Sequence, residues 1–119
     1  MRYVVLVAFE PSTWDLATPQ QRDSWMEDHA QFDRFVAAHG RCIATAPLAG
    51  VDDATTVRHV DGRRVVTDGP FAETVEILAG YYDVELPDLD VAIEAAALLP
   101  SAFSIEIRPT IVMHEDEVG

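Results

Sequence analysis

"VVTDGPFAETVEILAGYYDVE" (65–85) carries the punctuation that decides the fold. A β-rich apolar run halts at Asp68-Gly69-Pro70-Phe71, and a second resumes after Glu73 and Glu76 and passes through Tyr81-Tyr82. Glycine tolerates a positive φ, and proline has no amide hydrogen with which to continue a ladder. The corner therefore ends one strand, and the next, "LAGYYDVEL" (78–86), is a separate element. Upstream, "TTVRHVDGRRVVTD" (55–68) sets Asp61-Gly62 between two β-branched runs, a strong two-residue hairpin signal.

Working outward, "RYVVLVAF" (2–9) is a strand apolar on both alternating faces, the pattern of a strand covered on both sides. A polar connection, "EPSTWDLA", leads to a helix start in which Thr18 is the N-cap, Pro19 the first helical residue and Gln21 the partner in a capping box. The helix runs to about Ala38, with Gly40 as its stop, and Trp25, His29, Phe32 and Val36 recur on one stripe. "RCIATAPL" (41–48) is a second strand. "PDLDVAIEAAALLP" is a second helix with Asp88 as N-cap, Pro100 just past its end, and Leu89, Ala92, Ile93 and Ala96 as its apolar face. "FSIEIRPTIVM" supplies the last strand.

The order β-α-β-(hairpin)-β-α-β predicts an α+β domain over residues 1–119, with both helices on one face of an antiparallel sheet. The other face, lined by the first strand, then calls for a partner subunit, and a two-fold homodimer is expected.

Composition narrows the function. The chain has 119 residues, with 49% apolar and 24% charged, the balance of a globular core. Its 21 acidic and 8 basic residues give a net charge of −13, which argues against nucleic acid and anionic membranes as partners. All eight basic residues are arginine, so lysine Schiff-base chemistry is excluded. One cysteine, Cys42, permits no intrachain disulfide, and no apolar run reaches the roughly 20 residues of a membrane span. The start reads as a strand and not a signal peptide, so a cytoplasmic protein is expected. "HEDE" (114–117) reads as a solvated tail.

Taken together, "RYVVLV", "WDLATPQQR", "DGRRVVTDGPFAETVEILAGYY", "LPDLDVAIEAAALLP" and "IEIRP" resemble the YCII-related superfamily, in its DGPF-domain branch. The resemblance covers nearly the whole chain. It implies a ferredoxin-like fold assembled as a dimeric α+β barrel, and a branch whose members mostly have no assigned reaction. Some are encoded beside extracytoplasmic-function sigma factors. Relatives outside the branch carry a His-Asp pair in a cleft and include an enzyme that eliminates chloride from a chlorinated aromatic. The family's histidine falls on His29, which precedes Gly40-Arg41 with matching spacing. Its aspartate has no counterpart, because Leu99 stands before Pro100, and Val75 stands where a lysine commonly follows "AET".

His29 is the leading candidate for chemistry, a histidine on the inner stripe able to take and return a proton near neutral pH; the bland alternative is a satisfied core histidine. Asp68, at a strand end, either bonds its own turn or orients His29 in place of the missing aspartate. Phe71 walls a pocket or plugs the core. Tyr81 and Tyr82 point to opposite faces, one into the core or dimer seam, the other offering a hydroxyl to a pocket. Arg108 anchors an anionic ligand or pairs with Glu85 or Glu106. Glu73 and Glu76 read as solvated turn carboxylates. His29, His39, His59 and His114 show no metal-ligand spacing, and Cys42, inside a strand, reads as an inert buried thiol.

No metal or cofactor is expected. Two functions remain open: a small cofactor-free enzyme of isomerase, lyase or hydrolase type using His29 with Asp68, or a non-catalytic ligand-binding or regulatory module associated with sigma-factor regulation.

Overall fold

The computed structural model describes residues 1–113; the "HEDE" run (114–117) lies outside them. Strands β1 (Arg2–Phe9), β2 (Arg41–Pro47), β5 (Ile77–Glu85) and β6 (Ser104–Pro109) form one antiparallel sheet in the order β2-β5-β1-β6. Strands β3 (Thr55–Val60) and β4 (Arg63–Asp68) form a separate hairpin. The hairpin turns on Asp61 and Gly62, both at positive φ (51° and 76°), the geometry that Asp-Gly favours.

β1 is central because it pairs with β5 on one side and β6 on the other. Its Tyr3, Val5 and Val7 point to one face, where Tyr82 and Val84 of β5 join them. Helix α2 (Pro19–His39) brings Phe32 and Val36 to that face, and α3 (Leu89–Ala96) brings Ala92 and Ala95. Phe32, Val5 and Val84 are fully buried, each contributing about 1.5–3 kcal/mol of burial. Both helices thus share one face of the sheet. On the opposite face Val4, Leu6, Ala8 and Tyr81 are only half-buried within one chain.

Local chemistry sets the helix starts. The Thr18 hydroxyl accepts from the Gln21 amide at 3.1 Å, and the Gln21 side chain accepts from the Thr18 amide at 2.8 Å. Asp88 accepts from the Val91 amide at 2.9 Å and caps α3.

The segment expected as a polar connection instead holds a short helix, α1 (Pro11–Asp15), with Pro11 at its first position. Arg22 of α2 pins it, stacking 4.5 Å from the Trp14 ring centroid and donating to the Trp14 carbonyl at 2.7 Å. Gly40 does end α2, but its φ of −174° is extended backbone. The glycine is needed because a Cβ there would lie 1.9 Å from the Glu85 carbonyl oxygen.

Helix α3 is rotated from the expected face. Ala92, Ala95 and Leu99 are buried, while Leu89 and Ile93 are half exposed. The chain turns inward after Ala96, so Leu99 and Pro100 complete the core, and the alanine face lets the helix approach closely. Cys42 is exposed rather than buried, since β2 is an edge strand paired on one side only. Burial by its neighbours and the Asp33 charge still hold its thiol above the usual range, away from the reactive thiolate.

Candidate functional site

The inner stripe of α2 changes character along its length. Phe32 and Val36 sit in the core, whereas His29, one turn earlier, is half-buried at its margin. Across from it stands Tyr82 of β5, which pairs with Val5 and Thr45 and so faces the helices. His29 Nδ1 and the Tyr82 hydroxyl are 2.6 Å apart, a short hydrogen bond.

Burial shapes both groups. It lowers the His29 pKa below the ordinary histidine value, opposed by the charges of Asp33 and Asp28. It pushes the Tyr82 phenol up to about 12, reinforced by the Asp33 charge. At neutral pH the pair is therefore a neutral imidazole against a neutral phenol.

Aromatic rings continue from this pair. His29 lies 6.4 Å from Phe103, Phe103 4.8 Å from Phe9, and Phe9 6.4 Å from Trp14 between ring centroids. Trp25 lies behind this wall, stacked on Trp14 and tilted against Phe103. The wall borders a cleft of about 780 Å³ between α2, α1 and the adjoining ends of β2 and β5. That volume suits a small organic molecule. Three acidic residues from three elements are among its lining: Asp15 of α1, Asp33 of α2, and Asp52 in the 3-10 turn Val51–Asp53.

Of the residues singled out from sequence, His29, Tyr81 and Tyr82 line this cleft. Tyr82 is both the core tyrosine, 8% exposed, and the one whose hydroxyl is used. Asp68 ends β4 opposite Thr55 and is not among the lining residues. Gly69, at φ 107°, ties the corner back, its amide donating to the Ala54 carbonyl and its carbonyl accepting from Thr56. Phe71 neither walls the cleft nor plugs the core of this chain; the residue is 75% exposed and its carbonyl accepts from Arg58. The corner stays short of the core because its hydrogen bonds run to the hairpin. Arg108 lies 3.8 Å from Glu106 on the outer strand, also outside the cleft. Glu73 and Glu76 lie in a non-helical loop.

Sequence reasoning missed Asp33, Trp14 and Phe103. Asp33 follows His29 by four residues, one helical turn, which was a legible signal for a shared face. Trp14 and Phe103 carry no such local signal.

A smaller hollow of about 310 Å³ lies at the far end of β5, lined by Arg2, His39, Gly40 and Glu85. Its charged groups are committed: Arg2 to Asp83 through two contacts of 2.9 and 2.6 Å, Arg41 to Glu85 through two of 2.7 and 3.1 Å. The larger cleft is therefore the candidate site. Among the described residues no three His, Cys, Asp or Glu side chains gather as a metal site, and no helix is long and apolar enough to cross a membrane.

Residues 1–114 match the YCII-related domain. The uncharacterized protein R00369 of Rhizobium meliloti (strain 1021) is 33% identical over 122 residues, covering 99% of this chain and 98% of that protein. With the match running from the first strand through the last, the chain belongs to the YCII-related domain family.

Proposed function

We propose that this chain is a small cofactor-free acid–base enzyme whose working group is His29. The observation that carries it is the 2.6 Å bond between His29 Nδ1 and Tyr82 at the edge of an aromatic cleft. With the imidazole neutral and its proton on Nδ1, Nδ1–H donates to the Tyr82 hydroxyl oxygen, which leaves the Nε2 lone pair free for the substrate. Tyr82 then takes the orienting role that the sequence suggested for Asp68. A neutral imidazole held in one orientation accepts a proton from a bound small metabolite and returns it elsewhere, the cycle common to isomerases, lyases and hydrolases. The Asp33 charge, one turn along α2, favours the imidazolium formed in between.

A second reading, a non-catalytic ligand-binding or regulatory module, has its support in Leu99. The position where the resemblance calls for an aspartate holds a core leucine, 4% exposed. One experiment divides the two. Metabolites that raise the melting temperature are incubated with the protein and followed by mass spectrometry. Conversion that disappears in His29→Ala supports the enzyme; ligands that bind and remain intact, in every case, support the module.

We propose further that the protein is a cytoplasmic homodimer of ferredoxin-like units, joined as an α+β barrel. The half-buried Val4, Leu6, Ala8 and Tyr81 on the helix-free face support it. Such a face is worth many kcal/mol when covered, at roughly 25 cal/mol per Å².

A further inference from the structure

We propose that the cleft selects a cationic aromatic ligand, an ammonium group on an arylalkyl body. In it the ring lies against Phe9, Trp14 and Phe103, and the charge lies toward Asp15, Asp33 and Asp52. This names a substrate class for the cleft and rests on the reading of that cleft as a ligand site.

The argument is one of sign. The formally charged residues lining the cleft are the three aspartates. No arginine lines it, and the chain contains no lysine. Arg22, which stacks on Trp14, spends its guanidinium on the Trp14 carbonyl and is not a lining residue. His29 adds no compensating charge, because burial keeps it neutral. A carboxylate or phosphate entering here meets three like charges and no partner, which rejects it as effectively as a good contact would select it.

An ammonium meets the reverse. Aspartates from three separate elements line the cleft together with the rings of Phe9, Trp14 and Phe103, and aromatic rings attract cations. Asp33 stands one helical turn from His29 and lines the same cleft, and its charge acts on both His29 and Tyr82. The net charge of −13 steers cations toward the molecule as a whole.

The test is a matched series differing in charge alone: phenylethylamine, phenylethanol and phenylpropionate, with tryptamine, tryptophol and indolepropionate as the larger set. Binding is followed by calorimetry and by melting temperature. The amines are expected to bind, the alcohols more weakly, and the carboxylates not at all. Asp33→Asn is expected to weaken the amines about fivefold, the upper range for a partly exposed ion pair, while leaving the alcohols unchanged. A carboxylate that binds as well as its amine overturns the proposal, as does amine binding indifferent to Asp33→Asn, or no amine binding in either set. Turnover of an anionic compound through His29 would remove the cation preference and leave the proton-transfer reading standing. An amine that binds with the Asp33 dependence but is never converted would do the opposite.

Discussion

The imidazole of His29 and the phenol of Tyr82 meet at 2.6 Å although 53 residues separate them in the chain. The bond joins helix to sheet at the point where the core opens into the cleft. Tyr82→Phe keeps the ring packing against Phe32, at 4.4 Å between centroids, and removes only the hydroxyl. The lost hydroxyl oxygen accepts from Nδ1–H, a bond stronger for the imidazolium than for the neutral ring, so the His29 pKa is expected to fall in the variant. Proton NMR titration of the imidazole reads this directly; a rise would mean that the hydroxyl is the donor and Nδ1 the acceptor. Stability is expected to drop by about 1 kcal/mol.

The lowered His29 pKa also predicts a stability change with pH. In the unfolded chain histidine titrates near 6.5; in the folded one, desolvation holds it lower. Above about pH 6.5 both states are neutral and stability is complete. As pH falls below that value, the unfolded chain takes up a proton that the folded one resists, and stability declines until the folded pKa is passed. His29→Gln abolishes this component. Denaturant melts between about pH 7.5 and 5.5 should show the wild type losing more stability than the variant. Asp83 and Glu85, held below the usual carboxylate range by hydrogen bonds from Arg2 and Arg41, lose their contribution only at more acid pH. Equal slopes for wild type and variant would remove the claim.

Gly40→Ala tests the junction between α2 and the sheet. The added methyl meets the Glu85 backbone, which is fixed in β5 by pairing on both sides. Overpacking of this kind costs about 1–3 kcal/mol. Chemical denaturation should show a loss in that range, whereas Gly50→Ala, in open space, should be far milder.

Leu6→Arg tests the dimer. Leu6 stands between Tyr81 and Glu106 on the helix-free face and packs under neither helix. Analytical ultracentrifugation of the wild type should give twice the 13.1 kDa chain mass, and of the variant a single chain. A wild type that sediments as a monomer at micromolar concentration would rule the arrangement out.

What was legible in the sequence is what local chemistry decides. Thr18, Pro19 and Gln21 bond within one turn of each other, and Asp61-Gly62 needs only its own backbone to reverse the chain. Asp88 reaches an amide three residues on. The α+β arrangement with an antiparallel sheet followed, because two helices and a set of strands have few ways to cover one another. Even His29 could be placed on the inner stripe, since helical periodicity is a property of the helix alone.

Tertiary structure decided the rest, for one physical reason: the deciding contacts join residues far apart in the chain, and no local energy encodes them. His29 has its partner in Tyr82 and not in Asp68 because β5 runs beneath α2 while the corner is held by the hairpin. Cys42 is exposed because β2 falls at the sheet edge, and α3 buries its alanines because the turn after Ala96 carries Leu99 inward. Trp14, Asp33, Asp52 and Phe103 come from four separate elements or turns and share one cleft only after folding. The sequence by itself determined the main strands, the two packed helices and their caps, though not the short helix α1; which side chains face one another across the cleft was settled by packing.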